Sequence, residues 1–239
     1  MLENDGLEID SVLLTHWHGD HTGGVAPLLS RYPQLRPSIY KNNPDQGQQP
    51  IANNQVFSVE GATLRALFTP GHAIDHMCFV LEEENALFTG DNVLGHGFPV
   101  IENLGIFMKS LELMGSRRCS TGFPAHGVVI PDLPGKIALC IKRYIRRENQ
   151  VLDLLRTSRM KAQTSLQDDR KVKGSITVQE LVNEIYGDVP EEFSAMALQP
   201  ALNETLQKLA DEGKVGFELE VEDWVARSSK YWFLLGKGW

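Results

Sequence analysis

The chain has 239 residues, 42% hydrophobic and 23% charged, an ordinary soluble composition with room for one large domain and a small one. No apolar run approaches the ~18 residues of a membrane span, and residues 1–10, acidic and without Lys or Arg, argue against a secretory signal or a mitochondrial presequence. The net charge of −8 is uneven: residues 1–135 carry 7 basic and 15 acidic groups, residues 136–175 carry 11 and 4, and residues 176–239 carry 5 and 12.

Residues 11–15 (SVLLT) read as a short buried strand that ends in a histidine-rich turn. A helix is expected over 22–32, opened by Gly23 and Gly24. Residues 33–50, rich in Pro, Asn and Gln, read as a surface loop. Short strands follow at 56–59, 62–68, 77–82 and 86–89, with Glu82-Glu83-Glu84-Asn85 as a hairpin tip. Residues 106–114 are expected to be helical, and 122–125 lead into His126. A long amphipathic helix spans 137–156, with Ile137, Ile141, Ile145, Leu152 and Leu155 on one face. Residues 157–174, polar and aperiodic, read as a linker. Two helices (177–186 and 197–212, the latter stopped by Gly213) and a hairpin of 217–225 with 231–235 then suggest a winged-helix-like module. The expected domains are therefore 1–156, catalytic, and 175–239, joined by 157–174. Cys78, Cys119 and Cys140 form no CxxC pair and fit reduced thiols in a cytoplasmic protein.

The chemistry concentrates in Thr15-His16-Trp17-His18-Gly19-Asp20-His21. Four side chains able to bind a metal fall within six residues, just after a strand. Imidazole and carboxylate are ligands that zinc accepts, although manganese and iron accept them too. Three further segments, Pro70-Gly71-His72, Thr89-Gly90-Asp91 and Pro124-Ala125-His126, each place one more ligand type at the end of a strand. Together they supply five histidines and two aspartates, enough for two metal ions with Asp91 as a bridge. His76 could steady an oxyanion or orient a ligand. Asp75 could bond a ligand histidine, His96 could line a rim, and Trp17 reads as packing for the turn.

HxHxDH followed by single His, Asp and His resembles the signature of the metallo-β-lactamase superfamily. The resemblance implies an α/β fold, an αββα sandwich. It also implies one metal on His16, His18 and His72 and a second on Asp20, His21 and His126, with Asp91 between them. The expected catalytic groups are Asp20, Asp91 and His76, and the expected cofactor is two Zn2+. Only 15 residues precede His16, where family members carry several strands, so a shortened first sheet is expected. No Cys stands at the position of Asp91, and only 34 residues separate Asp91 from His126. These features set the chain apart from one class of true β-lactamases and from nucleases with a large inserted cap.

THWHGDHTGG, PGHAIDHM, FTGD and the winged-helix-like tail are similar to the β-lactamase-like protein 2 branch. That branch holds endoribonucleases and fungal thioesterases of the atrochrysone carboxyl ACP type, which release products from polyketide synthases. LGHGFPVIENLGIFMKSLELM resembles the thioesterase group. The implied activity is hydrolysis of a polyketide thioester on the acyl carrier protein of a polyketide synthase, in secondary metabolism. An endoribonuclease or an inactive metal-binding protein is the alternative. Nucleic-acid affinity rests on Lys and Arg, so the acidic tail speaks against RNA. The basic stretch from Lys142 to Arg147, with Lys171 and Lys173, suits an acidic carrier protein, although it would suit RNA as well.

Overall fold

The structure is a computed structural model that describes residues 8–164, 174–222 and 227–235. The chain divides into two compact units, Met1–Cys140 and Ile141–Trp239. Among the described residues, no helix is long and apolar enough to cross a membrane.

The first unit is an α/β sandwich. One sheet is parallel and holds β1 (Val12–Leu13), β2 (Ile39–Lys41) and β3 (Gln49–Pro50). Between β1 and β2 lie α1 (Gly19–Thr22), α2 (Val25–Arg31) and a 3-10 turn, Pro33–Ser38. The second sheet runs in the order β4 (Val56–Val59), β5 (Ala62–Phe68), β6 (Met77–Leu81), β7 (Ala86–Gly90) and β8 (Thr121–Pro124). Its pairs are antiparallel except for β7 with β8. Successive side chains of a strand point to opposite faces, and the second sheet uses both. Phe79 and Ala66 pack with Leu13, Tyr40 and Ile51 of the first sheet's layer. Cys78, the neighbour of Phe79, instead reaches Met114 on α3 (Leu104–Ser116). Side-chain layers on both faces of the sheet hold the ends of β5, β7 and β8 in place, and the loops that follow these ends carry the ligand-type residues.

The loop expected over 33–50 in fact contains β2 and β3. Ile39 and Lys41 both face inward, and the buried Lys41 is paired with Asp45 at 3.1 Å and Asp75 at 3.8 Å. A charged residue on the inward side hid the strand alternation. The long helix, α4, runs from Leu133 to Thr164, so the first part of the expected linker is helical; residues 165–173 lie outside the described residues. Of its expected face, Ile137 and Leu155 are buried and Ile145 is 45% exposed, while Tyr144, Glu148 and Val151 are buried as well. Glu148 occupies the stripe because Lys208 meets it at 2.9 Å, and a buried charge needs such a partner.

The second unit has the strand order β10 (Val215–Glu222), β11 (Arg227–Leu234), β9 (Ile176–Thr177). Its helices are α5 (Val178–Tyr186), α6 (Glu191–Phe193) and α7 (Gln199–Asp211), the last two joined by a π turn, Ser194–Leu198. Thr177 caps α5 in a capping box with Glu180. Leu181, Leu202, Leu206, Leu209 and Trp232 form the core. Two helices and a β-ribbon on one core make a winged-helix module, as the sequence pattern suggests. Residues 223–225 of the expected hairpin lie outside the described residues.

Candidate metal centre

Four loops build the site. The turn after β1 carries His16, His18, Asp20 and His21; the segments after β5, β7 and β8 carry His72, Asp91 and His126. His16, His18 and His72 form one group, and Asp20, His21 and His126 another; within each, the ligand-type atoms lie within 4.8 Å of one another. Asp91 stands between the groups. Its Oδ2 is 3.6 Å from His72 Nε2 and 3.4 Å from His21 Nε2, while its Oδ1 is 3.6 Å from His126 Nε2. Asp20 Oδ2 lies 3.4 Å from His21 Nε2 and 3.2 Å from His126 Nε2. The structure thus brings all seven residues to one place. Asp20 and His126 form its solvent edge, and His16, His72 and Asp91 its buried side.

The donor set fits divalent metal ions. His72 Nδ1 is 2.7 Å from the Val100 carbonyl. A carbonyl only accepts, so Nδ1 carries the hydrogen and the Nε2 lone pair faces the cluster. That nitrogen lies 3.2 Å from His16 Nε2 and 3.1 Å from His18 Nδ1, which are themselves 2.9 Å apart. Burial, reinforced by His21, His72 and His18, pushes the His16 pKa down to about 3. Burial lowers His72 as well, against the opposite pull of the Val100 carbonyl and Asp91. Neutral imidazoles crowded nitrogen to nitrogen are arranged as ligands are around a shared cation. The buried His21 Nε2 and Asp91 Oδ1 have no hydrogen-bond partner, and buried polar atoms are rarely left so.

The remaining expectations divide. Asp75 is buried, and instead of bonding a histidine it accepts a hydrogen bond from the Trp17 backbone N–H at 3.3 Å. It thereby pins the turn between His16 and His18 from 58 residues away. Trp17 is 50% exposed and sets its ring edge-on to His18 at 4.4 Å, so it packs on His18 and also faces solvent. His96 is exposed and belongs to neither group. For His76 the sequence leaves two roles open, steadying an oxyanion or orienting a ligand. The residue is fully buried, with Thr69 Oγ1 3.1 Å from one ring nitrogen and the Asp91 N–H donating to the other at 3.1 Å. Both ring nitrogens are engaged, so neither is offered to an oxyanion.

Sequence reasoning missed the apolar surroundings. Ile74 is 73% exposed, Val100 76% and Val128 72%. Each lies on a loop that carries one of the seven residues or bonds to one, as Val100 does to His72. Their positions were visible in the sequence, but only the structure brings together the loops that carry them.

Comparison with known proteins agrees with this architecture. Residues 2–41 match the metallo-beta-lactamase superfamily, and residues 177–224 match the beta-lactamase associated winged helix domain. An atrochrysone carboxyl ACP thioesterase of Aspergillus chevalieri is 55% identical over 98% of this chain and 71% of its own length. A lactamase-like protein of Aspergillus niger is 53% identical over the same shares. Among solved structures, a beta-lactamase domain protein from Burkholderia ambifaria aligns over 97% of this chain and 76% of its own, with TM-score 0.70 and 17% identity. The likeness to that structure is one of fold.

Proposed function

This chain belongs to the metallo-β-lactamase superfamily, and on that premise we propose that it is a metal-dependent thioesterase acting on an acyl group carried by an acyl carrier protein. The observation that carries the substrate class is the make-up of the four ligand-bearing loops. Residues 15–24, 69–76, 89–103 and 124–131 contain no Lys and no Arg, and Ile74, Val100 and Val128 stand exposed on them. A phosphodiester is held chiefly by Lys and Arg. An apolar acyl chain needs none and gains from covering apolar surface. The names of the relatives, several of them carboxyl ACP thioesterases, support the same reading.

His16, His18 and His72 would hold one metal ion and Asp20, His21 and His126 another, with Asp91 shared. Bound zinc supplies Lewis acidity, which polarises a carbonyl and brings the pKa of water towards ~7. Asp20, on the open edge with Oδ2 turned to His21 and His126, would orient the attacking water and accept its proton. Water oxygen bonds to the thioester carbon, the C–S bond breaks, and the sulfur leaves with the electron pair. A thiol pKa of about 8.5 lets it leave with little help from an acid.

Two variants probe the substrate. Ile74→Asp raises KM for the acyl thioester by about tenfold, the worth of one apolar side chain lost from the contact, with kcat little changed in steady-state assays. Lys142 and Arg146 lie one turn apart on α4, and both are exposed. Reversing both charges raises KM for the carrier-bound substrate several-fold and leaves a short soluble thioester unaffected, because only the acidic carrier senses these charges. Lys171 and Lys173 lie outside the described residues.

The reading itself is tested by giving zinc-loaded protein a carrier-bound acyl thioester and a single-stranded RNA in parallel. Thiol release without RNA cleavage is expected. RNA cleavage without thiol release would replace this reading with the endoribonuclease.

A further inference from the structure

A directional column of hydrogen bonds lies behind the cluster and begins and ends on the segment that carries Asp91. The Asp91 backbone N–H donates to His76 Nε2 at 3.1 Å. An amide N–H only donates, so Nε2 is the acceptor and the neutral ring keeps its hydrogen on Nδ1. That hydrogen meets Thr69 Oγ1 at 3.1 Å. The Thr69 hydroxyl in turn donates to Cys78 Sγ at 3.2 Å, and Cys78 donates to the Thr89 carbonyl at 3.3 Å. Thr69, His76, Cys78 and Thr89 are all buried. Burial pushes the Cys78 thiol up to about 12, so its S–H is retained and the last link holds.

Gly90 makes the first link possible. A Cβ at this position, where φ is +51°, would stand 2.5 Å from His76 Nε2. Only a residue without a side chain lets the ring reach the next amide. The column therefore grips Thr89–Asp91 from behind while the Asp91 carboxylate faces His21, His72 and His126 on the other side. The His76 ring also lies against His16 and His72, with centroids 5.1 and 5.8 Å away.

We infer that His76 is a positioning residue that fixes the Asp91 backbone, and through it the carboxylate shared by the two ligand groups. The inference rests on the metal reading of the cluster and is independent of the thioesterase reading. It assigns Thr69 and Cys78 as supports of the His76 tautomer.

The test measures zinc affinity, by competition with a chromophoric chelator, in the wild-type chain and in His76→Phe, His76→Gln and Thr69→Val. His76→Phe keeps the ring and orphans the Asp91 N–H. It is expected to weaken zinc binding by about 10–100-fold, the usual cost of losing a group that orients a metal ligand. His76→Gln, able to place an oxygen near the Nε2 position, is expected to recover most of that loss. Should His76→Phe fail to fold, Thr69→Val, which keeps the shape and removes the acceptor for Nδ1, is expected to show a smaller loss in the same direction. A merely structural role would lower the melting temperature and leave affinity unchanged. Wild-type affinity in folded His76→Phe or, if that variant fails to fold, in Thr69→Val would overturn the inference. A wild-type chain that binds no zinc would take down the metal reading and this inference together. Zinc binding without thiol release would sink the thioesterase reading alone.

Discussion

Asp91→Ala lowers thiol release by more than about a hundredfold, above what loss of an outer orienting group costs, and reduces the metal held by the chain. The carboxylate lies within 3.6 Å of His72, in one ligand group, and of His21 and His126, in the other. Its Oδ1 is buried without a hydrogen-bond partner, a cost that a bound cation would remove. Asp91→Asn separates charge from shape. It keeps the planar group but replaces one acceptor with a donor aimed at imidazole nitrogens, and it is expected to be nearly as inactive. Steady-state thiol release and metal analysis of the purified variants check this. An alanine variant within tenfold of wild type would show that Asp91 is not shared between metals.

Gly95→Ala is expected to lower turnover by about a hundredfold, although residue 95 carries no reacting group. A Cβ on Gly95 would stand 2.1 Å from the Val128 carbonyl oxygen and 2.2 Å from its nitrogen. Both are backbone atoms, which cannot escape by changing rotamer. The same crossing holds the loops together, since the Gly95 N–H donates to the His126 carbonyl at 2.9 Å. Alanine must therefore push the His126 loop away from the Asp91 loop. Overpacking of this kind costs roughly 1–3 kcal/mol of stability, and a displacement of about 1 Å at a reacting site can cost ~100-fold in rate. Gly97→Ala is the control. Its Cβ meets nothing within 4 Å, although φ there is +62°, so it is expected to lose some stability and keep turnover within a few-fold. Thermal melting and thiol release, measured on both variants, separate the two effects.

The strands of the larger sheet were legible as short, largely apolar runs bounded by turn signals, and the observed spans differ from the sequence reading by no more than a residue or so at their ends. β2 was not, because Lys41 sits on its inward side and is balanced by Asp45 and by Asp75, which is distant in sequence. The buried stripe of α4 was legible at Ile137 and Leu155 but not at Glu148, a charged residue that interrupts the apolar pattern and is paired with Lys208 on α7. The seven ligand-type residues stood out because four of them share one turn and the others follow strand ends. The parts played by Asp75 and His76 were less legible. Each depends on a hydrogen bond to a backbone N–H, Trp17 in one case and Asp91 in the other, and side-chain spacing does not encode such a bond. The absence of Lys and Arg from the ligand loops was in plain view, but it bears on substrate only once those loops are known to converge.

The most direct measurement is a zinc titration of metal-free protein that follows thiol release from a carrier-bound acyl thioester together with bound metal. The account predicts no release from the metal-free chain and a rise to a plateau as two ions bind per chain. Release that is already complete without metal, and indifferent to added zinc, would contradict it.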